Sequence, residues 1–267
     1  MREVGDILKR VWIVGLLITL LAGAKFGYEY FYFDQNQIGI IGYVNPPAKI
    51  ITLPQVPKDE LNSIVVTPEA VQQALLDLGI PAGKVDGKWG QRTRQGFCIW
   101  RELTGRAADR NYPIEFEQRE IILLSKAKKH FDLSTDFVKG LNVNKACQSV
   151  IWVKDDARKD YEISIVSTGA SATPTDVGTF KVGWKVNRWY ESISIPDGWM
   201  YRPMFFNKGQ AIHGVESDNY VWWYPASHGC VRMLGAFVDK LWASGFGVGD
   251  TVRVYGEFNP VTSDPEN

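Results

Sequence analysis

Histidine and cysteine are scarce in this chain, which has three of each among its 267 residues. Net charge is absent as well, because 30 basic and 30 acidic side chains cancel. A general nucleic-acid binder normally presents a net basic field, so the balanced charge argues against that class. Hydrophobic content of 45% and charged content of 22% are ordinary for a globular protein. We expect the protein to use no metal and no cofactor.

The apolar run near the start is also short. It extends from Val11 to Ala24, whereas about 20 residues are needed to span a bilayer. A basic start and the small residues Ala22-Gly23-Ala24 predict a secretory signal over residues 1–24. The alternative is an uncleaved anchor, since the aromatic residues of 26–33 would suit a membrane interface. Both interpretations predict export, and the second adds membrane contact through residues 11–33.

Helical spacing begins at Thr67, which suits an N-cap, and Pro68, which suits a first turn. Apolar residues then recur every three or four positions until Gly79 ends the helix. A second helix is predicted over 91–103, and Tyr112 with its following proline opens a third. The predicted regions are a linker rich in glycine and proline (25–66), a three-helix bundle (67–127) and a connector (128–140).

The loop between the first two helices contains the motif Asp86-Gly87-x-Trp89-Gly90. With the helix VQQALLDLGI before it and the sequence TGR after it, this motif resembles the bacterial peptidoglycan-binding domain family. The resemblance implies that Asp86, Gly87, Trp89 and Gly90 belong to a wall-binding site. The alternative from residue chemistry alone is that Asp86 and the two glycines build a tight turn and cap the second helix.

From Leu141 onward the pattern is that of β-strands. Runs of β-branched and aromatic residues predict strands at 149–153, 161–167, 180–186, 205–206, 211–213 and 251–255. One helix is predicted over Leu234–Ala243. We therefore expect a multidomain chain, in which the helical bundle precedes a mostly β domain over 141–256 and a disordered tail over 257–267.

Reactive side chains are concentrated in Ser227-His228-Gly229-Cys230-Val231-Arg232-Met233, and a second His-Gly pair stands at His213-Gly214. A nucleophilic cysteine needs a base, electropositive surroundings and donors for an oxyanion. Amides around the Gly-Cys step suit the oxyanion, and Arg232 suits a carboxylate. In an extended strand His228 and Cys230 would lie about 6–7 Å apart, so His213 from a neighbouring strand is the more natural base. A lone cysteine is usually an inert buried residue, but this concentration of groups argues against that.

The spacing from His213-Gly214 to the Ser-His-Gly-Cys motif strongly resembles the L,D-transpeptidase catalytic domain (the YkuD-like family, a β-sandwich). Two further landmarks, Ser167-Thr168-Gly169 and the segment from Thr173 to Phe180, match as well. The resemblance covers residues 141–256. It implies an enzyme of the bacterial cell envelope that acts on peptidoglycan stem peptides, forms a thioester and releases a terminal D-Ala.

The resemblance also implies a role for each site residue. Cys230 would be the nucleophile and His213 the base, oriented by the backbone of Gly214, because a serine found there in some family members is missing. The oxyanion would be bound by amides of the catalytic turn, and other side chains would place the substrate. The oxyanion donors are the amides of His228, Gly229 and Cys230, and the substrate contacts are Arg232, Ser227, Tyr201 and Met204, of which the last two could equally be core.

Two alternative functions remain open at this point. One is a hydrolase that resolves the same thioester with water, either an L,D-carboxypeptidase or an amidase that cuts wall attachments. The other is a wall-binding adaptor without catalysis, against which the intact motif argues. Cys98 and Cys147 are spare cysteines in a chain expected to be exported, and they predict a disulfide rather than two buried thiols.

Overall fold

The computed structural model describes residues 67–108, 110, 124, 127, 131–193 and 195–260. The predicted signal or anchor, the linker and most of the third helix lie outside these residues, although Leu124 is helical. The predicted tail lies largely outside them too. The elements described are α1 (Pro68–Asp77), α2 (Gln91–Leu103), β1 (Gly140–Asn144), β2 (Ser149–Val153), β3 (Tyr161–Ser167), β4 (Gly178–Lys181), β5 (Trp184–Lys185), β6 (Trp189–Glu191), β7 (Trp199–Asn207), β8 (Gln210–Gly214), β9 (Val231–Met233), α3 (Gly235–Ala243) and β10 (Thr251–Tyr255).

The first two helices form where the sequence predicts them. Thr67 caps α1, since its hydroxyl accepts the amide of Ala70 at 3.2 Å, and Pro68 opens the helix. Helix α2 begins after Gly90 and buries most of its residues. Within the described ranges, no helix is both long and apolar enough to cross a membrane.

The ten strands described form one mixed sheet in the order β4-β10-β1-β2-β3-β9-β8-β7-β5, with β6 paired to β7. Most neighbours are antiparallel, but β1 pairs with β10 and β8 pairs with β9 in parallel. The sheet curls, so that both of its halves contribute to one apolar core together with α3. The prediction of a mostly β domain is confirmed. Its architecture is a single continuous sheet, in which β3 joins the two halves.

The strand β2 separates two apolar clusters, because its side chains alternate between the faces of the sheet. Val150 and Trp152 join the core inside the curl. Ile151 and Val153 join a second cluster with α1, α2 and the segment 131–137. The helices therefore pack directly on the outer face of the sheet and share a core with it.

A disulfide joins α2 to the sheet. Cys98 and Cys147 are bonded, with their Cα atoms 5.5 Å apart, which confirms the predicted pair. Cys147 lies in the turn between β1 and β2 rather than within a strand. The bridge therefore fastens the second helix to a turn at one end of the sheet.

Candidate active site

Cys230 lies immediately before β9, next to the parallel strand β8. The register pairs Ile212 with Val231 and His213 with Arg232, so Cys230 stands beside Ala211. Its Sγ accepts the amide of Ala211 at 3.4 Å. The position of the thiol is thus defined by the backbone of the strand that also carries His213.

His213 and Cys230 point to the same face of the sheet. Alternation along β8 and β9 sends Ile212 and Val231 into the core inside the curl, which leaves the intervening side chains on the other face. His213 and Cys230 occupy diagonal positions on the two strands, within reach of a long side chain. The histidine is buried, with 5% of its surface exposed, whereas His228 is exposed.

The imidazole of His213 is oriented by the backbone alone. Its Nδ1 lies 2.7 Å from the carbonyl oxygen of Gly214. A carbonyl oxygen only accepts hydrogen bonds, so Nδ1 carries the proton of the neutral ring and Nε2 is left with a lone pair. This is the backbone contact expected from the sequence. Gly214 itself packs against Tyr201, whose Cδ1 would lie 2.9 Å from an added Cβ.

Burial controls the charge of both groups. It lowers the pKa of His213 to about 4, against an opposing contribution from the Gly214 carbonyl, and the positive charge of Arg232 lowers it further. Burial also raises the pKa of the Cys230 thiol, although the Ala211 amide and Arg232 act in the opposite direction. At neutral pH the resting pair is therefore a thiol beside a neutral imidazole.

A tight turn over 227–230 presents the cysteine. The hydroxyl of Ser227 donates to the carbonyl of Cys230 and accepts the amide of Gly229 at 3.2 Å. Ser227 is buried, with 2% exposed, and its hydroxyl is used within the turn, so it holds the turn rather than contacting substrate. The Gly229 amide is likewise engaged. Of the three expected oxyanion donors, this leaves the amides of His228 and Cys230.

A second segment supports this turn from behind. Thr175 donates its hydroxyl hydrogen to the carbonyl of Gly229 at 2.9 Å and accepts the amide of Gly169 at 2.8 Å. Gly229 has a φ of +107°, which favours glycine. A Cβ on Gly169 would lie 2.8 Å from the Cα of Gly229 and 2.2 Å from the carbonyl oxygen of Thr173. The two landmark segments of the sequence thus pack against the turn and support it.

Arg232 is half-buried and lies opposite His213 in the register of β8 and β9. Its charge influences the pKa of both His213 and Cys230. Tyr220, from the loop between β8 and Cys230, acts electrostatically on Arg232 in turn. The guanidinium therefore lies beside the two candidate catalytic groups, where it is available to a carboxylate.

Tyr201 and Met204 do not line this site. Met204 is fully buried in the core inside the curl, and Tyr201 packs against that core and donates its hydroxyl hydrogen to Asp239 of α3 at 2.9 Å. Both lie on the face of the sheet opposite Cys230, because the strand alternates on either side of a bulge between them.

The aromatic side chains beside Cys230 are ones that the sequence did not indicate. Cys230 packs against a small cluster that includes Phe205 and Ala211. Trp184 stacks on Phe205 with centroids 3.8 Å apart, and Tyr190 meets both rings edge-on. The repeated aromatic residues of 184–190 were the available signal, but only strand pairing shows which of them face the cysteine.

The motif of the helical region lies in the loop between α1 and α2. The side chain of Gln72 accepts the amides of Asp86 and Gly87 at 3.0 and 3.2 Å and donates to the Asp86 carboxylate at 2.9 Å. Gly87 has a φ of +73°, Gly90 is the N-cap of α2, and Trp89 packs on the outer cluster. These residues therefore build and cap a tight turn, and their wall-binding role stays a prediction.

Among the residues that the structure describes, no group of three or more His, Cys, Asp or Glu side chains is placed to hold a metal ion.

Comparison with known proteins finds similarity over the β domain. Residues 139–254 match the family model of the L,D-transpeptidase catalytic domain, YkuD, which confirms the resemblance over this segment. The chain is similar to the solved L,D-transpeptidase of Xylanimonas cellulosilytica, with 26% identity, a TM-score of 0.48, and coverage of 70% of this chain and 92% of that one. It is also similar to that of Stackebrandtia nassauensis, with 23% identity, a TM-score of 0.45, and coverage of 72% and 91%. The curated proteins include no match.

Proposed function

We propose that this protein is a cell-wall L,D-transpeptidase that forms peptidoglycan crosslinks through a thioester on Cys230. The observation that carries the proposal is the register of β8 and β9, which sets Cys230 and His213 on one face of adjacent strands. The family match to residues 139–254 supports the proposed reaction class.

The first half-reaction forms the acyl-enzyme. As the thiol of Cys230 attacks the carbonyl that joins the third stem residue to the terminal D-Ala, its proton passes to Nε2 of His213. The carbonyl π electrons move onto the oxygen, towards the amides of His228 and Cys230. When the tetrahedral intermediate collapses, the C–N bond breaks and the imidazolium returns the proton to the amine of the departing D-Ala. Arg232 would hold a stem carboxylate during this step.

The second half-reaction resolves the thioester. The amine of a third-position residue in another stem attacks the thioester carbonyl, gives its proton to His213 and forms a new amide bond. The Cys230 sulfur leaves and is protonated again. Water in place of the amine would make the protein a carboxypeptidase, and the acceptor is therefore what the experiment must identify.

The proposed location is the bacterial cell envelope. The disulfide between Cys98 and Cys147 supports an oxidising compartment, and the substrate class implies the same side of the membrane. The proposal includes export through residues 1–24, with cleavage or anchoring both open, and wall binding by the Asp86–Gly90 loop.

The test is to incubate the protein with disaccharide-tetrapeptide and analyse the products by mass spectrometry. A dimer that has lost one D-Ala is the expected product. If tripeptide is the sole product, the protein is a hydrolase and not a crosslinking enzyme. Cys230→Ala should remove all product, while Ser244→Ala, at a helix end away from the site, should keep it. No product and no acyl adduct on Cys230 in the wild-type protein would refute an enzymatic function.

A further inference from the structure

The segment that leads to the catalytic cysteine has little regular structure of its own. Residues 215–229, here called the crossover loop, connect β8 to Cys230 and contain one short 3₁₀ turn at Asp218–Tyr220. Because β8 and β9 are parallel, the chain must leave the sheet and return. The position of Cys230 therefore depends on what holds this loop.

One support comes from α2. Arg92 donates through Nη2 to the carbonyl of Val221 and through Nη1 to the side chain of Gln95 at 2.7 Å. Just beyond the helix, Arg110 donates to the carbonyl of Trp223 and places its guanidinium 5.3 Å from the centre of that indole ring. Arg110 is itself buried, with 3% exposed. Two arginines of the helical region thus bind the backbone in the middle of the crossover loop.

A second support starts at the same helix and reaches the end of the loop. Gln95 donates to the carbonyl of Gln148 at 2.6 Å. The Gln148 side chain accepts the amide of Thr168 at 2.8 Å. The carbonyl of Thr168 in turn accepts the amides of Ala226 and Ser227 at 2.9 and 3.0 Å. Ser227 is the residue whose hydroxyl closes the turn at Cys230.

The two supports form one closed network. It leaves the loop at Val221, passes through Arg92 and Gln95 on α2, and returns at Ser227, three residues before the nucleophile. Cys98 lies one turn further along the same helix and is bonded to Cys147, next to Gln148. The disulfide therefore holds α2 against the turn through which the second support passes.

We propose that α2 is a positioning element of the active site, with Arg92 and Gln95 as its positioning residues. They act through the crossover loop and touch neither thiol nor substrate. The inference rests on the proposed function, since it assigns the helix a part in turnover at Cys230. It gives the helical region a task in catalysis that is separate from any binding of the wall.

The test compares three single variants of the full, oxidised chain. Arg92→Gln removes the hydrogen bond to the crossover loop. Arg92→Lys keeps the positive charge but loses the planar guanidinium, which can donate to two acceptors at once. Arg101→Gln is the matched control, because Arg101 lies on the same helix and donates to Ala107 within the helical region. Circular dichroism first establishes that each variant is folded.

The expected result is a split between kinetic constants. Misplacing a reacting group by about 1 Å can cost roughly 100-fold in rate, so we expect Arg92→Gln to lower kcat by about 10-fold to 100-fold. KM should change less, since substrate contacts stay in place. Arg92→Lys should recover part of the rate, and Arg101→Gln should equal the wild type.

Two measurements do not depend on turnover. Hydrogen exchange should accelerate in peptides covering 221–227 in Arg92→Gln but not in Arg101→Gln, and the rate of iodoacetamide alkylation of Cys230 should change in the same variant. If the wild type makes no product, the proposed function fails while these two measurements still judge the inference. Unchanged exchange, alkylation and kcat in Arg92→Gln would overturn it. Should that variant not fold, the same comparison on Arg92→Lys decides.

Discussion

The protonation states of the half-buried Cys230 and the buried His213 follow from their removal from solvent on one face of adjacent strands. The pKa of the thiol is raised and that of the imidazole is lowered to about 4. A preformed thiolate–imidazolium pair is therefore disfavoured before substrate binds. In the proposed reaction, proton transfer would then accompany the attack on the carbonyl instead of preceding it.

This arrangement predicts an unusual acid limit of activity. His213 must be neutral to accept the proton, and its folded pKa of about 4 lies below the ordinary value of 6.5. We expect kcat/KM of the crosslinking reaction to fall on acidification only near pH 4, as measured over a series of buffers at constant ionic strength.

Alkylation provides the complementary measurement. In the oxidised protein Cys230 is the only free cysteine, so iodoacetamide reports on it alone. We expect the alkylation rate of the free protein to rise continuously through neutral pH with the thiolate fraction. A rate that is already level at pH 6 would contradict this expectation and point to a preformed thiolate–imidazolium pair, because the thiolate would then be complete below that pH.

At the scale of single residues, the sequence was sufficient wherever the chemistry is local. The structure brings Cys230 and His213 to adjacent strands and places the Gly214 carbonyl at the imidazole, while the catalytic roles expected of them stay predictions. Tyr201 and Met204 belong to the core, the alternative that the sequence left open for them, and they share a face because the β7 strand has a bulge near Arg202, where φ is +49°. A bulge changes which residues share a face, and no spacing in the sequence reveals it.

At the scale of secondary-structure elements, helix α2 carries one carboxyl group, that of Glu102, in a position shielded from solvent. Glu102 accepts a hydrogen bond from the hydroxyl of Tyr255 on β10. Its Oε2 is out of contact with solvent and has no partner among the described residues. Burial raises the pKa of Glu102 to about 7, despite opposing bonds from Tyr255 and Asn144.

The buried Glu102 carboxyl group should therefore make the folded protein less stable as pH rises. Below the ordinary pKa of 4.5 the carboxyl is protonated in both states; above it the unfolded chain ionises first, so stability is lost as pH rises towards 7. The loss is up to about 3 kcal/mol, at 1.36 kcal/mol per pKa unit. Glu102→Gln keeps a neutral hydrogen-bonding group and should remove this loss, as measured by urea unfolding at pH 4.5 and 7.5.

The free energy of unfolding of the wild type has to be compared with that of Glu102→Gln at each pH, because other groups also make stability depend on pH. His213 acts in the opposite direction, because its lowered pKa costs stability as pH falls below 6.5. Glu191→Gln, at an exposed position on β6, serves as the control and should keep the wild-type slope. Equal slopes in the wild type and Glu102→Gln would show that the carboxyl is not held neutral.

Elements with a clear pattern were predictable, and those with polar or very short sequences were not. The bounds of β2, β3, β10 and α2 agree with the predictions. Strand β1 does not show a strand pattern in the sequence, because two of its five residues are buried asparagines. Their side chains form hydrogen bonds to the neighbouring loops. Asn142 donates to the carbonyl of Val138 at 2.8 Å, and Asn144 accepts the amide of Ala146 at 2.8 Å. Strand β9 was missed because it has three residues.

For the molecule as a whole, the disulfide closes a loop with a sequence separation of 49 residues. Chain entropy predicts a stabilisation of about 4 kcal/mol for such a loop, although typical bridges give about 2–4. We expect Cys98→Ala with Cys147→Ala to lower the free energy of unfolding by this amount, measured by guanidinium denaturation under non-reducing conditions.

The control for the bridge is Cys230→Ala, which leaves the disulfide intact and should cost clearly less. Adding reductant to the wild type should reproduce the loss, while the double variant should not respond to it. If the double variant is as stable as the wild type, packing of α2 on the sheet holds the helix in place and the disulfide adds no stability.

The place of β10 bears on the order in which the molecule can be made. This last strand lies inside the sheet, between β4 and β1. A chain synthesised from its amino end therefore has a gap in its sheet until residues 251–255 are available, and pairing of such distant segments is slow. The sheet that carries Cys230 and His213 can therefore be completed only after residues 251–255 have been synthesised.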